Sequence, residues 1–130
     1  MNNICINVSS SFKYLVFVAL LGSWSSESPI MGDLIMADLN VLRYLTSITT
    51  QGREDENQWI TSYKLQHSFD SAQFNFIRDV NDTETLFVGN SDRDTKVTHT
   101  LSLQMQVRYV KLIPVSWNHW ISLRRGLNGF

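Results

Sequence analysis

Residues 51–68 read QGREDENQWITSYKLQHS. A charged run, Arg53-Glu54-Asp55-Glu56, stands directly against a stretch in which Tyr63, Leu65 and His67 alternate with Lys64, Gln66 and Ser68. Such a period of two marks a strand with one buried face, because successive side chains of extended backbone point to opposite sides. Charges placed between two strands form a presented loop, and loops held by a rigid scaffold are where binding surfaces are usually built. The fold class depends on whether the rest of the chain repeats this alternation of strand and turn.

It does. Leu42 to Thr50 is rich in β-branched and aliphatic residues, and Phe74 and Phe76 precede a turn at Asp79 to Asp82. Leu86-Phe87-Val88 leads into the turn cluster GNSDRD (Gly89 to Asp94), which is followed by Val97 to Leu103. VRYVKLIPV (Val107 to Val115) is the strongest strand signal and is expected to end at Pro114; Ile121, Leu123 and Leu127 close the pattern. Arg125 shares the face of those last three residues, and a charge there either marks an edge where that face opens to water, the preferred reading, or costs stability. No helical period, internal repeat or low-complexity tract is present. Many short strands separated by turns argue an antiparallel β-sandwich or barrel.

At 130 residues the chain makes one domain, residues 1–130, large enough for an apolar core without metal or disulfide staples. Hydrophobic residues are 43% and charged residues 18%, the composition of a globular chain. The net charge of −1, from 11 basic and 12 acidic residues, lacks the basic footprint that nucleic acid requires. Cys5 is the only cysteine, which excludes an internal disulfide and a cysteine-based zinc site. It fits a reduced cytosolic protein or an extracellular fragment without its partner cysteine. The longest apolar run, YLVFVALL (Tyr14 to Leu21), is shorter than the ~20 residues that span a bilayer. With Lys13 before it and GSWSS after it, it reads equally as the hydrophobic part of a signal peptide within residues 1–26 or as a buried strand.

Four segments say more than their pattern: TTQGREDENQWITSYKLQHS, FNFIRDV, LFVGNSDRDTKVTHTL and VRYVKLIPVSWNHWISLR. Taken in order they are very similar to the discoidin domain, also called the coagulation factor V/VIII type C domain. The match is strong over residues 34–129 and weaker over 5–33, where INVSSSF (Ile6 to Phe12) resembles the family's opening strand and GSWSS its next landmark. Trp24 stands fourteen positions before Asp38, and LIMADLN (Leu34 to Asn40) takes the place of WIQVDLG, with Leu34 for the tryptophan and Asn40 for the glycine. Other departures are Phe130 where the family's last cysteine stands, an apolar loop before GSW, and Arg125-Gly126 where an aliphatic residue and an acid are common. The missing cross-link implies a loss of roughly 2–4 kcal/mol.

The resemblance implies a distorted jelly-roll barrel of about eight strands whose ligand surface is formed by loops, or spikes, at one end. Family members are secreted or cell-surface binding and adhesion modules, not enzymes, and take glycans, anionic phospholipid headgroups, collagen or growth-factor peptides. Gly52 to Asn57 corresponds to the second spike, with Trp59 where it enters its strand. Membrane-binding relatives carry apolar residues in this loop; burying its three acids and one arginine in lipid would cost several kcal/mol. Arg53, Glu54 and Asp55 suit a sugar instead, through charge-assisted hydrogen bonds to hydroxyls, with the Trp59 indole packing on a ring face. Asn90, Asp92 and Arg93 of the third spike have the residue types for a polar ligand, and equally those of an ordinary Asx turn. Asp92 and Asp94 fall far short of a calcium ligand set, so no metal is expected.

The first spike falls within Lys13 to Ala19, where Tyr14, Leu15, Phe17 and Val18 offer a membrane contact. Pro29 occupies the position at which growth-factor-binding relatives place an acid. His67 reads as a core residue, and Asp92, Asp94 and His119 have no spacing that favours a hydrolase. Two N-glycosylation triplets occur, Asn7-Val8-Ser9 and Asn81-Asp82-Thr83, the second in an expected turn. The expectation is an extracellular binding and cell-adhesion module without catalysis or cofactor, recognising carbohydrate through its polar loops. The alternatives are anionic phospholipid, through the apolar first loop, or an extracellular-matrix protein.

Overall fold

A computed structural model describes residues 3–7, 17–25, 34–120 and 122–129. All regular structure among them is extended: β1 (Asn3–Asn7), β2 (Phe17–Ser25), β3 (Leu34–Gln51), β4 (Trp59–Ser68), β5 (Asn75–Phe76), β6 (Phe87–Val88), β7 (Val97–Asn118) and β8 (Ser122–Gly129). They form one hydrogen-bonded sheet in the order β2-β8-β3-β7-β4-β5, with β1 on β3 and β6 on β4. Every pairing is antiparallel except β1 with β3, which is parallel. The architecture is the all-β, antiparallel jelly-roll sandwich that the sequence implied.

The core is drawn from alternate positions of the central strands. Leu45 and Ile48 of β3, Tyr63 and Leu65 of β4, Val110 and Leu112 of β7 and Leu127 of β8 are all fully buried. Tyr63 stacks on Phe87 with ring centroids 5.3 Å apart, and His99 meets Phe87 edge-on at 5.4 Å. The alternation holds at Tyr63 and Leu65 but fails at the end of β4, where His67 is half-buried and Ser68, expected on the polar face, is buried instead.

Three expectations about the strands change. Val97–Leu103 and Val107–Val115 are not two strands: β7 runs from Val97 to Asn118 and pairs first with β3 and then with β4. Pro114 does not end it. The register shifts where Ser62 faces Ser116 and Tyr63 faces Pro114, so the proline sits at a bulge, where a missing N–H removes no ladder bond. Arg125 does not lie at an edge, because β8 is flanked by β2 and β3 and Arg125 pairs with Thr50. Residues 1–26 supply β1 and β2 to this sheet, and the first-loop residues Phe17 and Val18 are paired strand positions opposite Gly129 and Asn128. Tyr14 and Leu15 lie outside the described residues.

β3 and β7 are long because both are interrupted. Between Asp38 and Arg43 the register against β7 shifts, as four residues of β3 face a single position of its partner. Asn40, in that excursion, has φ 70. The left-handed region is natural for glycine and tolerable for asparagine, and the Asp38 carboxylate accepts the Asn40 N–H at 2.8 Å to hold the turn. Asp38 is itself fixed by Arg108, whose Nε donates to it at 3.1 Å.

Candidate recognition loops

The site is built where β3 hands over to β4 and β6 to β7. Gln51 ends β3 and Trp59 begins β4, so the connecting residues 52–58 must leave the sheet and return within a few ångströms. Two backbone bonds set the loop: Arg53 N donates to Gln58 O at 2.8 Å, and Gln58 N to Glu56 O at 2.8 Å. The Arg53 guanidinium then folds over it, donating from Nε to Asp55 Oδ1 at 2.8 Å and from Nη1 to Gln58 Oε1 at 3.0 Å. Glu54, Asp55, Glu56 and Asn57 are exposed; Arg53 and Trp59 are half-buried at the loop's base.

The second loop packs directly on the third. A methyl group added at Gly52 would lie 2.6 Å from the Asp92 carbonyl oxygen and 2.9 Å from Arg93 Cα, so only a residue without Cβ allows this approach. Gln51 Nε2 donates to Asp94 O at 2.6 Å. Gly89 meets the same requirement one turn earlier, since its Cβ would fall 2.2 Å from the Ile60 carbonyl oxygen. Arg53 and Asp92 therefore belong to loops at one pole of the molecule, as the sequence reading required.

Within the third loop the predicted residues part company. Asn90 is only 2% exposed; its Nδ2 donates to Thr50 O and Thr95 O, both at 2.9 Å, and its N–H to Ile60 O at 2.8 Å. It ties the loops together and is not presented to a ligand, which corrects its expected role as a contact. Asp92 is exposed but spends its carboxylate on the turn: Oδ1 accepts from Asp94 N at 3.1 Å and Thr95 N at 2.7 Å, and Oδ2 from Thr95 Oγ1 at 2.6 Å. Those bonds, the Thr95 hydroxyl's first, hold its pKa below the usual aspartate value. Arg93 is exposed. The outward groups are thus Glu54, Asp55, Glu56 and Arg93, beside the ordered guanidinium of Arg53.

Sequence reasoning missed a third contributor. The turn from β7 to β8 reaches the same pole, because Trp59 pairs with Asn118 and Asn118 Nδ2 donates to Asn57 O at 3.0 Å. Its next residue, His119, is exposed with φ 60, in a turn closed by Trp120 N donating to Asn118 O at 2.7 Å. The signal was the aromatic and polar cluster WNHW, Trp117 to Trp120, which the sequence offered only as part of the family-like segment VRYVKLIPVSWNHWISLR. Below the loops, the Thr50 and Tyr63 hydroxyls and Asn90 Oδ1 are buried without a hydrogen-bond partner of good geometry. Burial raises the Tyr63 pKa, partly offset by the neighbouring Thr50 side chain.

The family model described as F5/8 type C domain matches residues 10–127. Lactadherin of Mus musculus is 32% identical over 111 residues, 84% of this chain and 24% of lactadherin. Discoidin-2 of Dictyostelium discoideum is 34% identical over 102 residues, 78% of this chain and 38% of that protein. Retinoschisin of Mus musculus is 32% identical over 106 residues, 81% and 47% respectively. The chain spans less than half the length of each of these relatives. Among solved structures, recombinant discoidin II of Dictyostelium discoideum matches with a TM-score of 0.75 at 31% identity, over 83% of this chain and 41% of that one. The family 32 CBM of Clostridium perfringens NanJ, in complex with galactose, matches with a TM-score of 0.55 at 14% identity, over 87% and 93%. That last likeness concerns the fold alone.

Proposed function

The chain belongs to the F5/8 type C domain family, and from that premise we propose that it is a non-catalytic recognition module that binds carbohydrate outside the cell. The observation that supports this reading is the pairing of two polar loops into one surface, with Arg53 held in place by Asp55 and Gln58. A guanidinium already oriented loses less freedom on binding, and its remaining N–H groups point a fixed fork at sugar hydroxyls. Exposed carboxylates at Glu54, Asp55 and Glu56 add acceptors, and Trp59 and Trp120 bring aromatic surface to the same pole. Galactose is a natural first ligand to try, since a module of the same fold was solved with it.

Retention of the folded protein on immobilised galactose and on a glycan array tests the reading. The expected result is retention that falls at least tenfold in Arg53→Ala, with the thermal midpoint lowered only slightly, because its ion pair with the exposed Asp55 is a solvent-facing one worth about 0–1 kcal/mol. Empty arrays and columns with folded protein would overturn it. Flotation with phosphatidylserine vesicles serves as the competing arm, and capture by immobilised matrix protein as a third. The acids at the tip of the second loop speak against lipid insertion there, since each would have to be desolvated.

A further inference from the structure

We propose that Asn81 is an N-glycan acceptor and that its glycan covers the open edge of the sheet at β5 together with the exposed apolar side chains around β6. This rests on the extracellular reading above. Residues 77–85 leave the edge of β4 as a narrow excursion: Ile77 N donates to Leu65 O at 2.8 Å, Thr85 N donates to Ile77 O at 3.0 Å, and Arg78 bridges Glu84. Asp79 organises the tip. Its Oδ1 accepts from Asn81 N at 2.8 Å and Thr83 N at 3.1 Å, and its main chain exchanges bonds with Asp82 N at 3.0 Å and Thr83 O at 2.9 Å. Asp82 closes the turn with φ 60 while Arg78 Nη1 donates to its carbonyl at 2.8 Å.

The consequence for the triplet Asn81-Asp82-Thr83 is specific. Neighbouring residues hold its backbone, and the Asn81 carboxamide takes no hydrogen bond among the described residues and stands in water. Modifying that nitrogen therefore breaks no contact of the fold. The triplet that begins at Asn7 is placed differently, because Asn7 is the last residue of β1 and its backbone is registered on Asp38 of β3.

The surroundings give the glycan a task. β5 and β6 are two residues each and pair with β4 alone; no strand pairs the outer side of β5 among the described residues, while on β6 the Val88 carbonyl accepts a bond from the His99 ring. Beside them Val80, Leu86 and Val88 are 75%, 55% and 69% exposed. An open edge flanked by apolar side chains invites pairing with another chain, and a bulky hydrated group next to it blocks that approach.

In the transfer, the Asn81 amide nitrogen attacks the anomeric carbon of a lipid-diphosphate-linked oligosaccharide. The new C–N bond replaces the C–O bond, the electron pair leaves with the lipid diphosphate, and the amide proton passes to a base of the transferase.

The test uses the full 130-residue chain behind a foreign secretory leader, translated with microsomal membranes. The expected product is protease-protected and carries an endoglycosidase-sensitive mass increment that Thr83→Ala abolishes and Asn7→Gln leaves in place. Thr83 is exposed at the tip, so its substitution spares the fold. An imported, protected chain without carbohydrate on Asn81 would overturn the proposal, independently of whether native cells secrete the protein. Enzymatic deglycosylation is then expected to raise self-association in sedimentation velocity, and unchanged sedimentation would overturn the edge-covering role.

Discussion

At the scale of single residues, two asparagines do different work. Asn40 stands where the family has glycine and keeps the glycine's conformation, φ 70, because asparagine tolerates the left-handed region and Asp38 secures its N–H. Its role was legible as a departure from a motif; the reason it is tolerated needed the backbone. Asn90 looked like a ligand contact because asparagine in a loop suits sugars, and nothing in one dimension says that its neighbours bury it to 2% exposure. Truncating it leaves the buried Thr50 carbonyl without this donor, which costs on the order of 1–3 kcal/mol, and cuts the tie to the Thr95 carbonyl. Asn90→Ala is therefore expected to lower the thermal midpoint and to abolish sugar retention together, unlike Arg53→Ala, which strikes binding and lowers the midpoint only slightly. Thermal scans run beside column retention separate the two.

Among the elements, loops two and three form one body. Their junction is Gly52 against the Asp92–Arg93 backbone, with Gln51 and Asn90 bonding across it. Gly52→Ala drives its methyl group into the Asp92 carbonyl, and overpacking against backbone costs roughly 1–3 kcal/mol. The expected outcome is faster amide exchange over residues 90–96 and weaker retention on sugar, with little change in β8; exchange spread evenly over all strands would contradict a local junction. β7 carries the corresponding lesson about legibility. Its two halves were each readable as strands, and Pro114 was readable as a breaker. That they form one strand follows from two partners, β3 and β4, that lie far away in sequence and accommodate the proline at a bulge.

For the whole molecule, stability should fall in two steps with acid. Burial holds the His67 pKa below its ordinary 6.5, so the unfolded chain takes up that proton first. Stability is then complete above pH 6.5 and declines as pH falls through the lower folded-state value. Three carboxylates act later. Asp38 is pulled upward by burial but held lower on balance by the Arg108 hydrogen bond, the Asn40 N–H and the Arg108 charge. Asp70 is lowered by the N–H groups of Ala72 and Gln73 and by Ser68, and Asp92 by Thr95. Their contribution is present above the ordinary value of 3.8 and drains away as pH drops below it. His67→Gln is expected to remove the first decline and keep the second; a thermal midpoint that still falls as pH drops just below 6.5 in that variant would contradict the assignment.

The class of fold, the existence of the strands from β3 onward, the polar character of the loops and the family were all legible in the amino-acid order. Period-two burial, turn residues and motif spacing are local properties, and each is written in contiguous residues. Which residues of the loops face outward, that Asn118 and His119 join them, and that Arg125 lies inside the sheet emerged from the folded arrangement alone. Those outcomes depend on contacts between segments forty or more positions apart, such as Asn90 with Thr50 and Asn118 with Asn57, and a side chain's exposure is settled by whichever distant backbone arrives to cover it.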